Sequence, residues 1–290
     1  MSQNRPLISI IITCYKEKKL LKDAVNSALN QNYENIEIII VKDFSNCTET
    51  YNACKEFEEN QRTQVIYNSS QIFASGSRNK GINKSNGEII FCLDGDDYID
   101  KNFILKTTKP LIIDEKIGFV YTDNFNVYDG HKVLYEKREF NISEVISRGF
   151  PGSGIVYRKK DYLRTNGYNT DLIGQEDWEF LVQLCGLNLV GKRIDEPLYY
   201  YRKKSDDESK HIISTIKYGF KTRLKIIESN EKTFKDNSRG VIIDLYKMNQ
   251  ELWIALHNSK NPKHNFFSLL KWLFGNKLIK FIKKIRSRFN

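Results

Sequence analysis

EIIFCLDGDDYID, residues 88–100, carries an apolar run from Ile89 to Leu93 that stops abruptly at Asp94, Gly95, Asp96 and Asp97. A short run of this kind, rich in β-branched and aromatic residues, fits a strand buried on both faces. Similar runs precede it: LISIIIT (7–13), IEIIIV (36–41) and VIY (65–67). Between them, Leu20, Leu21, Ala24, Val25, Ala28 and Leu29 recur at helical spacing, a helix is predicted around 48–59, and SRNKGINKS (77–85) reads as a third. Four βα alternations in the first hundred residues predict an α/β fold with a parallel sheet and right-handed crossovers. Ligands of such sheets collect beyond the carboxyl ends of the strands. Thr13 and Tyr15 follow the first strand, Asp43 the second and Asp94 to Asp97 the fourth, so all are expected at one crevice.

Further along, FVYTDNFNVYDGHKVLYEKREF (119–140) predicts a hairpin turning on Asp129-Gly130. GIVYRK (154–159) reads as a strand, DYLRTNG as a short helix closed by Gly167, and EDWEFLVQLCG as a helix ending at Gly186. VGKRIDEPLYYYRK (190–203) is extended again. From 211 onward the pattern is helical. The polar KKSDDESK breaks both periodicities and sets a domain boundary, giving a catalytic-type domain over 1–207 and a helical C-terminal region over 208–290.

The chain has 290 residues, five cysteines with no CxxC spacing and a net charge of +10. An odd cysteine count with two thiols in strand-like runs argues for reduced cysteines in a cytoplasmic protein. The first apolar run is too short for a signal peptide, and no window reaches ~18 uninterrupted apolar residues. Of the ten excess positive charges, eight fall between Lys263 and Asn290, where there is no Asp or Glu. Charge confined to one tail is not the domain-wide basic face of a nucleic-acid binder. Leu278, Phe281, Ile282, Ile285 and Phe289 form one helical stripe there, flanked by Lys277, Lys280, Lys283, Lys284, Arg286 and Arg288. That is a basic amphipathic surface suited to anionic lipid on the cytoplasmic face of a membrane, or an apolar stripe packed on protein with solvated lysines.

Acidic residues after a strand commonly make turns or cap helices. Three carboxylates within four residues repel one another unless a cation or shared proton compensates, and oxygen ligands without a His/Cys cluster favour Mg²⁺ or Mn²⁺ over zinc. An EF-hand starting at Asp94 would put Leu105 where a bidentate Glu is needed. A dinucleotide fold would need glycines after the first strand, where TCYKEKK stands. An aspartyl phosphatase would carry its motif after the first strand instead of the fourth.

SIIITCYKE (9–17), SALNQNYENIEIIIVKDFS (27–45), GSRNKGINKSNGEIIFCLDGDDYI (76–99) and GQEDWEFLVQL (174–184) together resemble family 2 glycosyltransferases, over about the first 205 residues and in the family's order. The resemblance implies a GT-A, Rossmann-like fold with a mostly parallel central sheet flanked by helices. It also implies an inverting transfer of sugar from a nucleotide-sugar donor, a UDP-sugar by family habit, to a hydroxyl of a glycan or lipid-linked acceptor in bacterial surface polysaccharide assembly. Carried over by motif, Thr13, Tyr15, Glu17, Asp43, Arg78, Asp94, Gly95 and Asp96 would bind the nucleotide sugar. Asp96, Asp94 and Asp97 would hold a Mn or Mg ion, Asp177 would be the base, and Glu176 and Trp178 would face the acceptor. Glu176 and Asp177 are also what a helix dipole favours in a first turn, and Trp178 is equally a core residue. The sequence departs from the family pattern at Lys42, at Phe44 and at Lys204, where a histidine is usual and a lysine can contact diphosphate but not ligate metal. These departures keep open a catalytically inactive nucleotide-sugar or lipid-binding module, and a metal-dependent nucleotidyltransferase or phosphohydrolase shares the architecture.

Overall fold

A computed structural model describes residues 5–152, 154–172, 174–203 and 221–257. The chain divides into two compact units, 1–205 and 206–290. Tail residues 258–290 and Lys204 lie outside the described residues, and with them the proposed amphipathic stripe. In the second unit the described residues are helical over 221–229, Glu231–Asp236 and Ser238–His257. Among the described residues no helix is long and apolar enough to cross a membrane.

In the first unit the apolar runs become strands β1 (Ile8–Cys14), β2 (Ile36–Lys42), β3 (Thr63–Tyr67) and β4 (Ile89–Asp94), paired in parallel. Between them run helices α1 (Leu20–Leu29), α2 (Thr48–Lys55) and α3 (Phe73–Lys84). After β4 come β5 (Tyr98–Ile99), α4 (Phe103–Ile113), β6 (Ile117–Tyr128), β7 (His131–Tyr135), α5 (Ile142–Arg148), β8 (Val156–Arg158), α6 (Lys159–Tyr162), α7 (Glu176–Gly186) and β9 (Val190–Arg202). The sheet order is β3-β2-β1-β4-β8-β6-β9-β5, with β7 paired to β6. β8 runs antiparallel between β4 and β6, while β6 pairs with β9 in parallel. The sheet is thus mostly parallel with three antiparallel strands, β5, β7 and β8. The hairpin turns at Asp129-Gly130 as expected: Tyr128 pairs with His131, and Gly130 takes the positive φ of +85° that the tight turn requires.

Burial on both faces explains the unbroken apolar runs. Ile8, Ile10 and Ile12 point into a layer shared with Leu21, Ala24 and Val25 of α1 and Phe103 and Ile104 of α4. Ile11, Ile39 and Val41 point the other way, into a layer with Ile82 of α3 and Phe180, Leu181 and Leu184 of α7. Each fully buried isoleucine contributes roughly 1.5–3 kcal/mol. The register sets Thr13 beside Val41 on one side and Asp94 on the other, so three strand ends finish level and their following residues share one edge.

Helix α3 sits very close to the sheet. A Cβ on Gly81 would lie 2.4 Å from Ile11 Cγ2 and 3.1 Å from Val41 Cγ2. Gly81→Val should therefore destabilise the domain by about 1–3 kcal/mol through overpacking, despite removing a helical glycine; the denaturant midpoint measures it, and an unchanged midpoint would show that the interface yields.

Candidate active site

At the shared edge lies a cleft of ≈ 400 Å³ lined by Thr13, Tyr15, Glu17, Asp43, Arg78, Asp94, Gly95, Asp96, Glu176 and Asp177, and also by Gln71, Phe73, Ser77 and Tyr201. Ten of the residues singled out in the sequence meet here. Sequence reasoning missed the last four. Ser77 adjoins Arg78 in a motif already noted and Tyr201 opens the YRKK stretch (201–204) that ends at Lys204, whereas nothing local marks Gln71 or Phe73 as lining residues.

Asp43 follows β2 and holds the loop before α3. Its Oδ1 accepts from the backbone of Phe44 (3.0 Å) and Ile72 (2.9 Å) and from Asn68 Nδ2 (3.1 Å), and its Oδ2 accepts from the Phe73 amide (2.9 Å). The carboxylate thereby fixes the entry to α3, where Phe73 has a φ of +59°. The neighbouring Lys42 is buried, and its Nζ donates to Asp43 O (3.1 Å) and Ser45 Oγ (3.1 Å). This is how a lysine is accommodated beside Asp43.

Arg78, projecting from α3 and only 4% exposed, is the hub. One terminal nitrogen donates to Glu176 Oε1 and Asp177 Oδ1, both at 2.8 Å, and the other to Asp94 Oδ1 at 2.8 Å. Its guanidinium lies 5.3 Å from the Tyr168 ring centroid. Burial alone would discourage its charge, but Asp177, Asp94 and Glu176 reverse that and raise its pKa well above the ordinary value. The residue predicted to lie near the nucleotide or its phosphates lines the cleft while engaged with three protein carboxylates.

Gly95 turns the chain beyond β4: its amide donates to Thr13 O at 2.9 Å, and a Cβ there would stand 2.9 Å from that same oxygen. Asp96 lines the cleft. Asp97 does not, and its expected place among the metal ligands is corrected. It is 1% exposed and accepts from Tyr199 Oη (2.6 Å) and the Arg202 amide (2.8 Å). Burial, then the charges of Asp94 and Asp96, push its pKa well up, with the two hydrogen bonds opposing. Arg202 also donates to Asp96 O (2.8 Å) and to Asp23 (2.6 Å), so β9 clamps the DGDD turn from outside.

Helix α7 opens at Gln175, whose φ is +63°. Glu176 and Asp177 occupy its first turn and face Arg78. Trp178 points the opposite way: 8% exposed, it donates from Nε1 to Val145 O (2.9 Å) and packs on Gly149, where a Cβ would come within 2.9 Å of its Cγ. Trp178 is thus a core residue, and its predicted acceptor-stacking role is corrected. Removal from water pushes Asp177 up to about 7; Arg78 opposes the shift, and Glu176 and Asp94 reinforce it. A carboxylate with that value suits proton transfer near neutral pH.

The family model for Glycosyl transferase family 2 matches residues 9–167. The chain belongs to glycosyl transferase family 2. Among curated relatives of this family 2 chain, an uncharacterized glycosyltransferase of Methanocaldococcus jannaschii is 25% identical over 265 residues, spanning 87% of this chain and 90% of the relative. An Escherichia coli protein named as a UDP-Glc:alpha-D-GlcNAc-diphosphoundecaprenol beta-1,3-glucosyltransferase is 35% identical over 141 residues, 49% of this chain and 51% of that protein. The chondroitin synthase of Pasteurella multocida is 28% identical over 184 residues, 62% of this chain but 19% of the synthase. The solved structure of Staphylococcus aureus TarS 1–349 with UDP aligns with a TM-score of 0.56 at 21% identity, covering 71% of this chain and 63% of that one. This match shows a shared fold.

The family 2 site carries a stability cost. Asp177 in the folded chain has a pKa near 7 against an ordinary 3.8, so the fold holds this proton more tightly than the unfolded chain does. The associated stability is fully present below about pH 4 and is lost as pH rises through 7. Asp177→Asn, which stays neutral, should accordingly be more stable than wild type by about 1–3 kcal/mol at pH 8, with the gap shrinking towards pH 4. Urea unfolding at both values measures it; a gap independent of pH would contradict the shift.

Proposed function

We propose that this chain is an inverting glycosyltransferase that transfers a sugar from a UDP-sugar to a hydroxyl of a glycan or lipid-linked acceptor. The observation that carries the reading is the placement of Asp177, held at the edge of the strand ends by Arg78 and sharing one cleft with Asp43, Asp94 and Asp96, where burial pushes its carboxyl up to about 7. In support, the E. coli relative is named for a UDP-Glc donor and a diphosphoundecaprenol-linked acceptor, and TarS was solved with UDP.

The cleft is acidic: Glu17, Asp43, Asp94, Asp96, Glu176 and Asp177 line it, against Arg78 as the basic residue among those described. A diphosphate entering such a cleft meets net negative charge unless a cation accompanies it. Asp96 and Asp94 fit that cation as a carboxylate pair, since Mg²⁺ is commonly held by one or two carboxylates plus the substrate's phosphates. Among the described residues no group of three His, Cys, Asp or Glu side chains is placed to hold a metal ion by itself. When bound, it would stabilise charge on the departing diphosphate. Asp43 Oδ2, with one amide donor, retains capacity to accept from a base N–H. Asp177 takes the proton from the acceptor hydroxyl as that oxygen attacks the anomeric carbon, and Glu176 beside it disfavours the charge that must be lost. The basic tail, read from its sequence alone, would bring the domain to an anionic lipid surface on the cytoplasmic side.

The Arg78 to Asp177 ion pair also favours a second reading, donor binding without transfer, because it engages the base. One experiment separates the two: incubation with UDP-sugars and lipid-linked or glycan acceptors, following UDP release and the anomeric configuration of the product. Transfer should fall 10²–10⁴-fold in Asp177→Asn with UDP affinity retained. For the wild type, log kcat/KM should rise with unit slope up to a bend near pH 7 and level above it, since the base must be deprotonated. Undiminished transfer in Asp177→Asn would overturn the assignment of the base, and UDP binding with no transfer at all would support the second reading.

A further inference from the structure

A second pocket of ≈ 380 Å³ adjoins the cleft, walled by Asn124, Asn126, Tyr135, Lys137, Tyr201 and Lys203 among others. Tyr201 lines both spaces, and Gly152 lines this pocket and the small cavity bordered by Asp177. Its volume is in the range of small-ligand sites. Amide groups beside exposed tyrosine faces are the means by which proteins hold polar rings.

The charges change sign between the two spaces. Six carboxylates line the donor-side cleft. Among the described residues no Asp or Glu lines the second pocket, which has two lysines. Lys203 is half-buried, with its Nζ 4.4 Å from the Tyr201 ring centroid. Lys137 is 8% exposed; its Nζ donates to Pro151 O at 3.0 Å, and among the described residues no carboxylate lies within ion-pair distance of it. Asp123, the carboxylate whose charge acts on Lys137, is committed elsewhere: it accepts from Arg193 at 2.9 and 2.7 Å and from the Lys137 backbone amide at 2.8 Å. Burial draws Lys137 down to about 8, with Asp123 opposing only in part. A buried ammonium with one carbonyl acceptor is costly as it stands, and an anionic ligand oxygen would repay that cost.

We propose that this pocket is an acceptor subsite that selects an anionic acceptor, with Lys137 and Lys203 binding a phosphate or carboxylate oxygen while Tyr201 separates it from the donor. The proposal rests on the glycosyltransferase reading for its identification of the pocket as the acceptor side. The shared chemistry is an oxyanion. It can come from a phosphate on a lipid-linked or phosphorylated glycan, or from the carboxylate of a uronic acid.

The test uses the full chain with UDP present to fill the donor cleft. Glucose 1-phosphate, methyl glucuronide and neutral methyl glucoside are titrated by saturation-transfer NMR. At least one anionic sugar should bind about tenfold more tightly than methyl glucoside, as expected for charge-assisted hydrogen bonds, and which one does so identifies the source. Lys203→Ala and Lys137→Met should each abolish the preference while UDP affinity stays within twofold. Should Lys137→Met fail to fold, Lys203→Glu supplies the second variant and should exclude both anions. Equal binding of anionic and neutral sugars, or an anion preference that survives in the lysine variants, overturns the proposal. Failure of the wild type to bind UDP would instead count against the nucleotide-sugar reading, and the anion preference is still read in its absence.

Discussion

One buried guanidinium holds the site together. Arg78 reaches from α3 to a carboxylate of the next element, β4, and to two carboxylates of α7, which lie 98 and 99 residues further along the chain. Three carboxylates this close would repel, and the arginine makes their assembly tolerable while leaving one of them, Asp177, reluctant to ionise. Removing the guanidinium would leave the three carboxylates uncompensated, a loss that typically costs about 3–5 kcal/mol. The same ion pairs therefore shape both the fold of the domain and the acidity of its proposed base.

Around that hub the polar residues divide their work. Asp43 shapes backbone, satisfying amides that would otherwise be stranded where α3 begins, and Asp97 does the same for the DGDD turn and β9. Asp94, Asp96, Glu176 and Asp177 remain on the cleft wall. Neighbouring carboxylates in one short motif thus have different fates, decided by which way each strand-end residue points.

The parallel half of the sheet was legible because burial on both faces forces continuous apolar runs, and the edge where the strands finish followed from topology. What escaped the sequence has local causes. Helix α3 begins at Phe73, four residues before the predicted start, because its buried face consists of Ser75, Ser77, Arg78, Gly81 and Ile82, which carry little apolar periodicity. Helix α4 contains Pro110, a residue that argues against a helix, and β5 is two residues long. Trp178 and Asp97 were misplaced because a first-turn helix position and a turn position each allow a side chain to face cleft or core. Only the partners, Val145 and Tyr199, decide which, and they lie 33 and 102 residues away.

The Arg202 clamp has a consequence for how this molecule comes into being. Its amide meets Asp97 across 105 residues of chain, and Arg78 meets Asp177 across 99. During synthesis the first four strands can pair long before either partner exists. The acidic turn must then wait, unbraced, until the last strand of the domain has left the ribosome, so the chemistry-bearing corner is the final part of the domain to set.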